Sequence, residues 1–416
     1  MWRGPPGLQS RESSRLLLGN GEKPRRFSAL QAWQPAPRKE TRLSFDTDVF
    51  ILGGGPAGLA AAIAARQKGM RVTLADSQSP PIDKACGEGL MPDSLAAAAS
   101  LGIEVPFQAG YPLNGIRFIG PPHSVAAEFS DGTGLGIRRT ALHQVLVNHA
   151  ERAGVDLRWN CPVTGMEGHH ARLGQQTITA RWMVGADGIR SRVRGWAGLD
   201  EVRRTSILSG SRSRFSFRRH YRINPWSEFV EIHWADGCQF YITPVSSAEV
   251  CVVLMSRDPQ FRMQEALPLF PELYSRLRTC EPVTAERGAL AATLRLKRIT
   301  RGHVALIGDA AGTVDPITGK GVCMAFQQAR SLAGALASGD LSRYQQAHRQ
   351  IMRRPTFMAD FMLSMDRWPG LRARAVRAME THPNLFANLL AVHAGGLGVG
   401  RMAATAAMLG WEVATA

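Results

Sequence analysis

The sequence predicts an α/β fold in which a parallel-sheet domain is interleaved with an antiparallel β-sheet domain and followed by C-terminal helices. A short apolar run at 49–52 precedes a glycine-rich turn and an alanine-rich helix, the order of a parallel β–α unit. Between about 205 and 295, apolar and polar residues alternate in four runs, which is typical of antiparallel strands. After Leu341 the sequence is predicted to be helical. At 416 residues the chain can hold one large domain or two closely joined ones.

The composition is that of a globular protein with a basic electrostatic field. Hydrophobic residues make up 44% of the chain and charged residues 20%, and the formal net charge is +16. A basic field attracts phosphate-bearing cofactors, anionic membrane surfaces or nucleic acid. Because no helix-turn-helix, zinc-finger or RNA-binding signature is present, we expect no nucleic-acid partner. The six cysteines form no C-x-x-C pair, so we expect no metal site, no disulfide framework and a reducing cytoplasmic location.

The first 45 residues differ from the rest of the chain. They have no apolar periodicity and contain nine basic and three acidic residues. The acidic residues and the lack of an apolar segment argue against a targeting peptide. We therefore expect a disordered basic tail, or a translation start placed too far upstream.

The glycine-rich turn has the spacing G-x-G-x-x-G, at Gly53, Gly55 and Gly58. In this arrangement the first glycine permits the tight turn, the second lets the backbone approach a pyrophosphate, and the third allows close helix–strand packing. Free N–H groups at the start of the helix then bind phosphate. A second apolar run at 71–75 ends on Asp76, whose carboxylate can accept hydrogen bonds from ribose hydroxyls. The unit therefore predicts dinucleotide binding, without separating FAD from NAD.

Turn and periodicity signals predict the elements that follow. Loops are predicted at 80–92, helices at 93–99, from Arg138, at 268–278 and at 321–336, and further strands at 115–119, 124–129, 155–159 and 177–184. The predicted domains are a tail at 1–45, a discontinuous dinucleotide-binding domain at 46–105, 131–205 and 296–345, a substrate-binding β-sheet domain at 106–130 and 206–295, and a helical region at 346–416.

Two further turns follow predicted strands. The segment 185–194 contains Asp187 and Gly188, which alone are only a turn signal. The segment 308–322 combines a strand end, Asp309, a Gly/Pro loop and a helix start. Such a helix start can place backbone donors and a positive dipole end against a ring that becomes anionic on reduction.

These three motifs in this order resemble those of the glutathione-reductase-type FAD proteins in the p-hydroxybenzoate-hydroxylase superfamily. That superfamily includes aromatic hydroxylases, ubiquinone-pathway hydroxylases, flavin-dependent halogenases and geranylgeranyl reductases. The resemblance covers about residues 46–345, implies a Rossmann-type FAD domain, and leaves the substrate unidentified.

The resemblance assigns cofactor contacts residue by residue. The first turn and Arg139 are assigned to the FAD diphosphate, Asp76 to the adenosine ribose, and Asp309 to the ribityl chain and pyrophosphate. The D-G-x-x-S-x-x-R motif is assigned to FAD and NAD(P)H, and the P-x-x-G-x-G loop lies beside the flavin ring. The full set of implied cofactor-binding residues is Gly53, Gly55, Pro56, Ala57, Gly58, Asp76, Lys84, Arg139, Asp187, Ser191, Arg194, Gly308, Asp309, Pro316, Gly319, Lys320, Gly321 and Val322.

Candidate catalytic residues are Cys86, Glu88 and Tyr241. The segment 84–89 resembles the K-x-C-G-x-G segment of geranylgeranyl reductases, and 241–244 falls where they carry a Y-x-W-x-F-P-like motif, with Thr243 replacing the second aromatic. Each residue also has a structural interpretation. A lone cysteine is often a small buried hydrophobe, Glu88 can be a loop charge, and Tyr241 can be a core aromatic on an alternating strand.

The resemblance implies an FAD-dependent monooxygenase that uses NAD(P)H and acts on an aromatic or lipophilic small molecule through a flavin C4a-hydroperoxide. The alternative is a reductase of carbon–carbon double bonds in a prenyl or other apolar chain. A halogenase and a non-catalytic flavoprotein that acts on a partner protein are further alternatives.

Two regions have open interpretations. The arginines from 212 to 222 either meet NAD(P)H phosphates or form a solvated sheet face, and His220 and His233 are expected to be sheet residues rather than bases. The apolar segment 385–400 contains polar residues and glycines, so we predict packed or interfacial helices with peripheral membrane contact, not a transmembrane span. The sequence gives no prediction of the oligomeric state.

Overall fold

A computed structural model describes residues 44–120, 122–203 and 214–395, with 404, 405, 407, 408, 410 and 411 near the C-terminus. The predicted basic tail thus lies outside the described residues except for its last two. The same holds for most of the segment before the antiparallel sheet and for the end of the apolar C-terminal segment. Within the described chain, the predicted α/β fold with an interleaved antiparallel sheet and C-terminal helices is confirmed.

The described strands, in chain order, are β1 Thr47–Leu52, β2 Val72–Ala75, β3 Gly89–Leu90, β4 Tyr111–Leu113, β5 Gly115–Gly120, β6 His123–Glu128, β7 Gly134–Gly136, β8 Asp156–Arg158, β9 Val163–Glu167, β10 His170–Leu173, β11 Gln176–Gly185, β12 Arg214–Arg222, β13 Phe229–Ala235, β14 Cys238–Ser246, β15 Glu249–Ser256, β16 Arg287–Ala291, β17 Thr300–Arg301 and β18 Val304–Leu306. The described α-helices are α1 Pro56–Gln67, α2 Pro92–Ala99, α3 Arg139–Arg152, α4 Arg192–Trp196, α5 Met263–Ala266, α6 Pro271–Leu277, α7 Gly321–Ser338, α8 Leu341–Arg367, α9 Pro369–Thr381 and α10 Pro383–Ala394.

The first sheet has the order β17-β18-β11-β1-β2-β8, with β9 and β10 extending it beside β11. The pairs β18–β11, β11–β1, β1–β2 and β2–β8 are parallel. Val49, Ile51 and Leu74 are wholly buried because helices cover the faces of these central strands. The carboxyl ends of β1, β2, β11 and β18 meet at one edge, which is where the predicted cofactor motifs begin.

Helix α1 packs on this sheet at close range. It begins with Pro56, whose missing N–H costs nothing at a helix start, and its inner face consists mainly of alanine. A Cβ at Gly58 would lie 1.8 Å from the carbonyl oxygen of Gly53, so the helix touches the strand-end backbone there. Only glycine fits this contact.

The second sheet has seven strands in the order β16-β12-β15-β14-β13-β5-β6. The hairpin β5–β6 joins it through β5 and β13, which are parallel, with Val230 beside Ile116 and Ile232 beside Phe118. The other pairs are antiparallel, including all four predicted strands between 214 and 256. A third, small sheet, β3-β7-β4, supports the end of the loop that precedes α2.

The C-terminal helices are separated by proline starts. Helix α8 begins after Asp340, whose carboxylate accepts the Ser342 N–H, and it ends at Trp368 before Pro369 starts α9. Pro383 likewise starts α10. Helices α9 and α10 pack on β6, and α8 packs on α7. Of the described helices, none combines the length and apolarity needed to cross a bilayer.

Several boundaries differ from the predicted ones. The predicted loop at 80–92 contains the two-residue strand β3, and the helix predicted at 268–278 begins only at Pro271, after a separate turn of α5. The short strands β4, β7, β9, β10, β16 and β17 were not predicted. They contain two to five residues each, too few to show a period of two.

Candidate functional site

A cavity of about 630 Å³ lies between the carboxyl edge of the parallel sheet, one face of the antiparallel sheet and the C-terminal helices. Most of the predicted cofactor residues line one side of it: Gly53, Gly55, Pro56, Ala57, Asp76, Lys84, Arg139, Asp187, Gly308, Asp309, Pro316, Gly319, Gly321 and Val322. We call this side the cofactor half. Gly58, Ser191, Arg194 and Lys320 are not among the lining residues, and they shape the turns behind it.

The first glycine turn presents backbone donors to the cavity. Gly53 has φ of 114°, in a region that favours glycine, and a Cβ there would lie 2.4 Å from the Ala186 carbonyl oxygen. Gly55 faces open space, because a Cβ there would meet nothing within 4 Å. No side chain caps the start of α1, so its first N–H groups are free to bind an anion. The turn fits a dinucleotide pyrophosphate.

Asp76 also belongs to this turn. Its carboxylate accepts the Gly54 N–H at 2.7 Å and the Gln78 N–H at 2.8 Å, and it lines the cavity. Opposite it, His143 Nε2 lies 2.8 Å from the Gly54 carbonyl oxygen, while the Ile82 N–H approaches Nδ1 at 3.4 Å. Burial lowers the pKa of His143, so a neutral ring that donates from Nε2 satisfies both contacts. Sequence reasoning missed this histidine.

Arg139 is an unsatisfied cation of the cofactor half. Its backbone N–H donates to Glu88 Oε1 at 2.9 Å, but its buried Nε has no hydrogen-bond partner among the described residues. Because its side chain also lines the cavity, it fits the predicted contact with a diphosphate. Together with the open space at Gly55, this orphaned donor indicates that the cofactor half fits FAD.

Lys84 and Asp309 form an ion pair at 2.8 Å between the loop before α2 and the end of β18. Both side chains line the cavity and are about half exposed. The pair therefore lies where a bound ribityl–pyrophosphate chain is predicted to run. Lys84 can bind phosphate there once Asp309 accepts hydrogen bonds from the ribityl hydroxyls.

The second motif is organised by Asp187, which accepts N–H groups at the start of α4, where Ser191 is the N-cap residue. Its carboxylate accepts hydrogen bonds from the Ser191 hydroxyl and the Arg192 N–H, both at 2.6 Å. Ser191 in turn accepts the Arg194 N–H at 3.0 Å, and Arg194 pairs with Asp200. Asp187 reaches the cavity, whereas Ser191 and Arg194 position the turn from behind it.

The third motif forms a loop between β18 and α7. Asp315 accepts the Ile317 N–H at 3.0 Å and pairs with buried Arg214 at 3.2 Å, while burial raises the pKa of Asp315. Gly319 has φ of 65°, and Gly321 faces open space at the uncapped start of α7. Lys320 turns away from the cavity, because its Nζ pairs with Asp93 at 2.5 Å.

Glu88 is the centre of a buried charge cluster. It adopts a left-handed backbone conformation with φ of 59°, and its side chain is fully buried. Its carboxylate contacts Arg218 Nη1 at 3.1 Å and His220 Nε2 at 2.6 Å, and Arg218 also pairs with Asp83 at 2.8 Å. Glu88 is therefore not a free loop charge. The cluster fixes the loop that carries Cys86 to the antiparallel sheet.

The structure answers the question about the arginines from 212 to 222 position by position. Arg214 and Arg218 are buried and paired with carboxylates, so they form neither a solvated face nor a free phosphate site. Arg222 is exposed, and Arg212 lies outside the described residues. Glu88, His220 and Cys251 lie close enough to share a metal ion, but the Arg218 guanidinium, 3.1 Å from Glu88, disfavours a cation there. The signal that sequence reasoning missed is the set of polar residues at every second position of β12.

The two remaining catalytic candidates also line the cavity. Cys86 lies in the loop, where its sulfur accepts the Glu88 N–H at 3.4 Å. The Tyr241 hydroxyl lies 3.2 Å from Gln239 Oε1 and 3.3 Å from the Ile317 carbonyl oxygen. Burial raises the pKa of Tyr241, which keeps the phenol protonated and donating. Their catalytic roles stay predictions.

The other side of the cavity, which we call the apolar half, is lined by residues from β5, β13, β14, β15 and α8–α10. They are Ile116, Phe118, Val230, Ile232, Tyr241, Thr243, Val253, Met255, Met358, Phe361, Met362, Met379, Phe386, Leu389, Leu390 and His393. None of these is an acid, lysine or arginine. Burial lowers the pKa of His393 to about 3, so its ring is neutral, and its Nε2 donates to the Thr318 carbonyl oxygen at 2.9 Å.

Comparison with known proteins supports the cofactor assignment. A family model described as FAD binding domain matches residues 46–339. Digeranylgeranylglycerophospholipid reductase 1 of Methanothermobacter thermautotrophicus is 29% identical over 314 residues, covering 71% of this chain and 78% of that protein. Menaquinone reductase of Mycobacterium tuberculosis is 27% identical over 319 residues, covering 71% and 78%.

Solved structures share the fold. The flavin-dependent brominase Bmp2 superposes with a TM-score of 0.73 at 18% identity, covering 88% of this chain and 98% of that one. A flavoprotein/dehydrogenase from Cytophaga hutchinsonii superposes with a TM-score of 0.72 at 20% identity, covering 84% and 92%. At these identities the likeness concerns the fold alone.

Proposed function

This chain belongs to the family described as FAD binding domain and is an FAD-dependent oxidoreductase, and we propose that it reduces carbon–carbon double bonds of a prenyl or other apolar chain. This is the alternative that the sequence left open beside monooxygenase chemistry. NAD(P)H as the source of electrons stays a prediction.

The observation that carries the proposal is the continuity of the two halves of the cavity. Gly89 lines the cavity in the same loop as Lys84, and we count it with the cofactor half. Val230 of the apolar half lies against it, because a Cβ at Gly89 would meet Val230 Cγ2 at 3.6 Å. Tyr241 lies at the junction beside Ile317, and His393 contacts Thr318 from the other side. We call the loop between β18 and α7 the flavin loop. A long apolar group can therefore lie in the apolar half with one of its carbons beside this loop.

The protein's contribution is to bind, orient and exclude water. The glycine turn, Arg139 and Asp309 would hold the diphosphate and ribityl parts of FAD, and the start of α7 would face its ring. When bound, FAD supplies the reducing equivalents for addition of hydrogen to a double bond. The methionine, leucine and phenylalanine side chains of the apolar half keep water from the site and hold a chain without charged groups.

Relatives favour the same chemistry. The two curated proteins described above are named as reductases of a digeranylgeranylglycerophospholipid and of menaquinone, and both names denote lipophilic molecules. The structural neighbours with halogenase-type names are less than 25% identical, so they carry no argument about the reaction. No contact among the described residues favours monooxygenase chemistry over reduction.

The test is an anaerobic single-turnover experiment with the FAD-loaded enzyme. The flavin is reduced chemically under nitrogen and mixed with all-trans prenyl alcohols, while its absorbance is recorded. We expect the prenyl compound to reoxidise the flavin without oxygen and to become heavier by two hydrogen atoms, as read by mass spectrometry.

Oxygen and simple phenols provide the opposing arm of the same experiment. If the reduced enzyme leaves every prenyl alcohol unchanged, but with oxygen converts a phenol into a product heavier by one oxygen atom, the reductase proposal is wrong. In that case monooxygenase chemistry replaces it.

A further inference from the structure

The apolar half has a definite closed end, which can be located from the strand register. Side chains of β5 and β13 that face the cavity form successive rows along the two parallel strands. The first row is Ile116 with Val230, next to Gly89 of the cofactor half, and the second row is Phe118 with Ile232. Each row lies roughly 7 Å further along the strands than the one before it.

The third row is not part of the cavity. It consists of Gly120 and Trp234, since a Cβ at Gly120 would lie 3.9 Å from the Trp234 Cβ. Trp234 is only 3% exposed, does not line the cavity, and packs edge-on against Phe118 with ring centroids 6.0 Å apart. The cavity therefore stops at the second row, and Phe118 separates it from the packed core behind.

Helix α10 completes this wall. The ring of Phe386 stacks at a tilt on that of Phe118, with centroids 4.8 Å apart, and both rings line the cavity. Leu389 and Leu390, one turn further along α10, line its side, and His393 reaches back to the flavin loop. Along α10 the lining of the apolar half thus runs from His393, which contacts Thr318 of the loop between β18 and α7, to Phe386 at the far end.

We propose that Phe118 and Phe386 form the end wall that sets the maximum length of the apolar chain the enzyme accepts. The inference rests on the proposed function, because it concerns the chain that the apolar half would hold. Behind the wall lie Trp234 and Gly120, and the glycine has no side chain to fill space. Removing either phenyl ring lengthens the cavity by the volume that the ring fills.

The test measures binding rather than turnover. The FAD-loaded protein is titrated calorimetrically with all-trans prenyl alcohols of two to five isoprene units. In the native protein, affinity rises with each added unit until the chain reaches the wall, and the next unit adds nothing. In Phe386→Ala and Phe118→Ala, we expect the first alcohol beyond the native limit to bind about tenfold or more tighter than it binds the native protein, because its last unit becomes buried.

Two further variants frame the result. Phe357→Ala removes an exposed aromatic of α8 that does not line the cavity, and it should leave the length limit unchanged. Ile116→Phe fills the first row and should move the limit to a shorter chain. FAD content and melting temperature identify any variant that fails to fold, and Ile116→Phe still tests the inference from the opposite direction.

Two outcomes distinguish a failure of the end wall from a failure of the proposed function. If the native protein binds no prenyl alcohol of any length, the proposed function fails and the end wall fails with it. The other outcome is a length limit of the native protein that the Phe386→Ala and Phe118→Ala variants both keep, although they fold and bind FAD. In that case the end wall is wrong while the proposed function stands.

Discussion

At the residue scale, two glycines of the same turn have opposite environments. A Cβ at Gly58 would lie 1.8 Å from the Gly53 carbonyl oxygen, whereas a Cβ at Gly55 would meet nothing within 4 Å. We expect Gly58→Ala to lower the free energy of unfolding of the cofactor-free protein by about 2 kcal/mol or more, because the helix must shift. Gly55→Ala should leave that free energy unchanged and weaken FAD binding. Urea unfolding and FAD titration measure the two effects, and equal destabilisation by both variants would contradict this account.

The buried carboxylate of Glu88 gives a second prediction. Its partners Arg218 and His220 are as deeply buried as the carboxylate itself. We expect Glu88→Gln to lower the free energy of unfolding by about 3 kcal/mol, because it leaves Arg218 with one carboxylate, Asp83, instead of two. Glu272→Gln removes an exposed partner of Arg276 and should change the free energy of unfolding by less than about 0.5 kcal/mol. Urea unfolding of both variants measures the difference. If both lower the free energy of unfolding by similar amounts, the buried cluster contributes no more than an exposed ion pair.

Buried histidines predict acid sensitivity. Burial lowers the pKa of His348 to about 4 and that of His393 to about 3, below the ordinary value of 6.5. At a pH between the folded and the unfolded pKa of such a histidine, the unfolded chain binds a proton that the folded chain does not. The free energy of unfolding therefore falls as the pH falls below 6.5. Each histidine contributes a loss of about 1.4 kcal/mol per pH unit well below 6.5. His348→Asn should make the slope of unfolding free energy against pH shallower between pH 6 and 4, and an unchanged slope would refute its role.

At the scale of elements, the β1–α1–β2 unit was predictable because its signals are local. Its strand starts two residues earlier than predicted, at Thr47, and the turn glycines occupy the expected places. The antiparallel strands of 214–256 were predictable because alternation sets their faces. The short strands were not, since partners distant in sequence define them.

The two halves of the cavity also differ in how far the sequence predicts them. The cofactor half follows from motifs, and most of the residues assigned from them line the cavity. The apolar half depends on tertiary contacts that bring α10 to β5, residues far apart in sequence. Glu88 illustrates the difference: its position in a loop was predictable, whereas its contact with Arg218 and His220 was not.

Because α8–α10 line only the apolar half, a substitution in them should affect binding of the apolar chain and not of FAD. Met362 of α8 lines the apolar half and is not one of the residues assigned to the cofactor. We expect Met362→Gln to weaken binding of prenyl alcohols about tenfold while leaving FAD affinity unchanged, because a buried amide lacks partners there. Phe357→Gln, on the exposed side of α8, is the matched control. Loss of FAD from the Met362 variant alone would show that the two halves are not separable.

At the scale of the whole molecule, charge and exposed aromatics favour contact with an anionic bilayer. Phe357 and Trp368 are each 43% exposed, lie eleven residues apart on α8 and its end, and share one face. Arg353 and Arg367 flank them, and the chain carries a net charge of +16. Met358, the next residue of α8, lines the cavity about 100° around the helix from Phe357.

We expect the protein to sediment with vesicles of anionic phospholipid and less with zwitterionic ones, and added salt should weaken the association. The double variant Phe357→Ala/Trp368→Ala should reduce it several-fold without loss of FAD. Undiminished sedimentation of that variant would assign the contact to another surface.

The lining of the apolar half lies on both sides of the point where the family match ends, and this has a consequence for the evolution of such proteins. The family match ends at residue 339, whereas the lining from α8–α10 begins at Met358. Under the proposed function, mutations in these last helices can alter which molecule is accepted while the cofactor half stays intact. A lineage that keeps residues 46–339 under strong selection can diversify its substrates by drift and selection in about the final sixty residues.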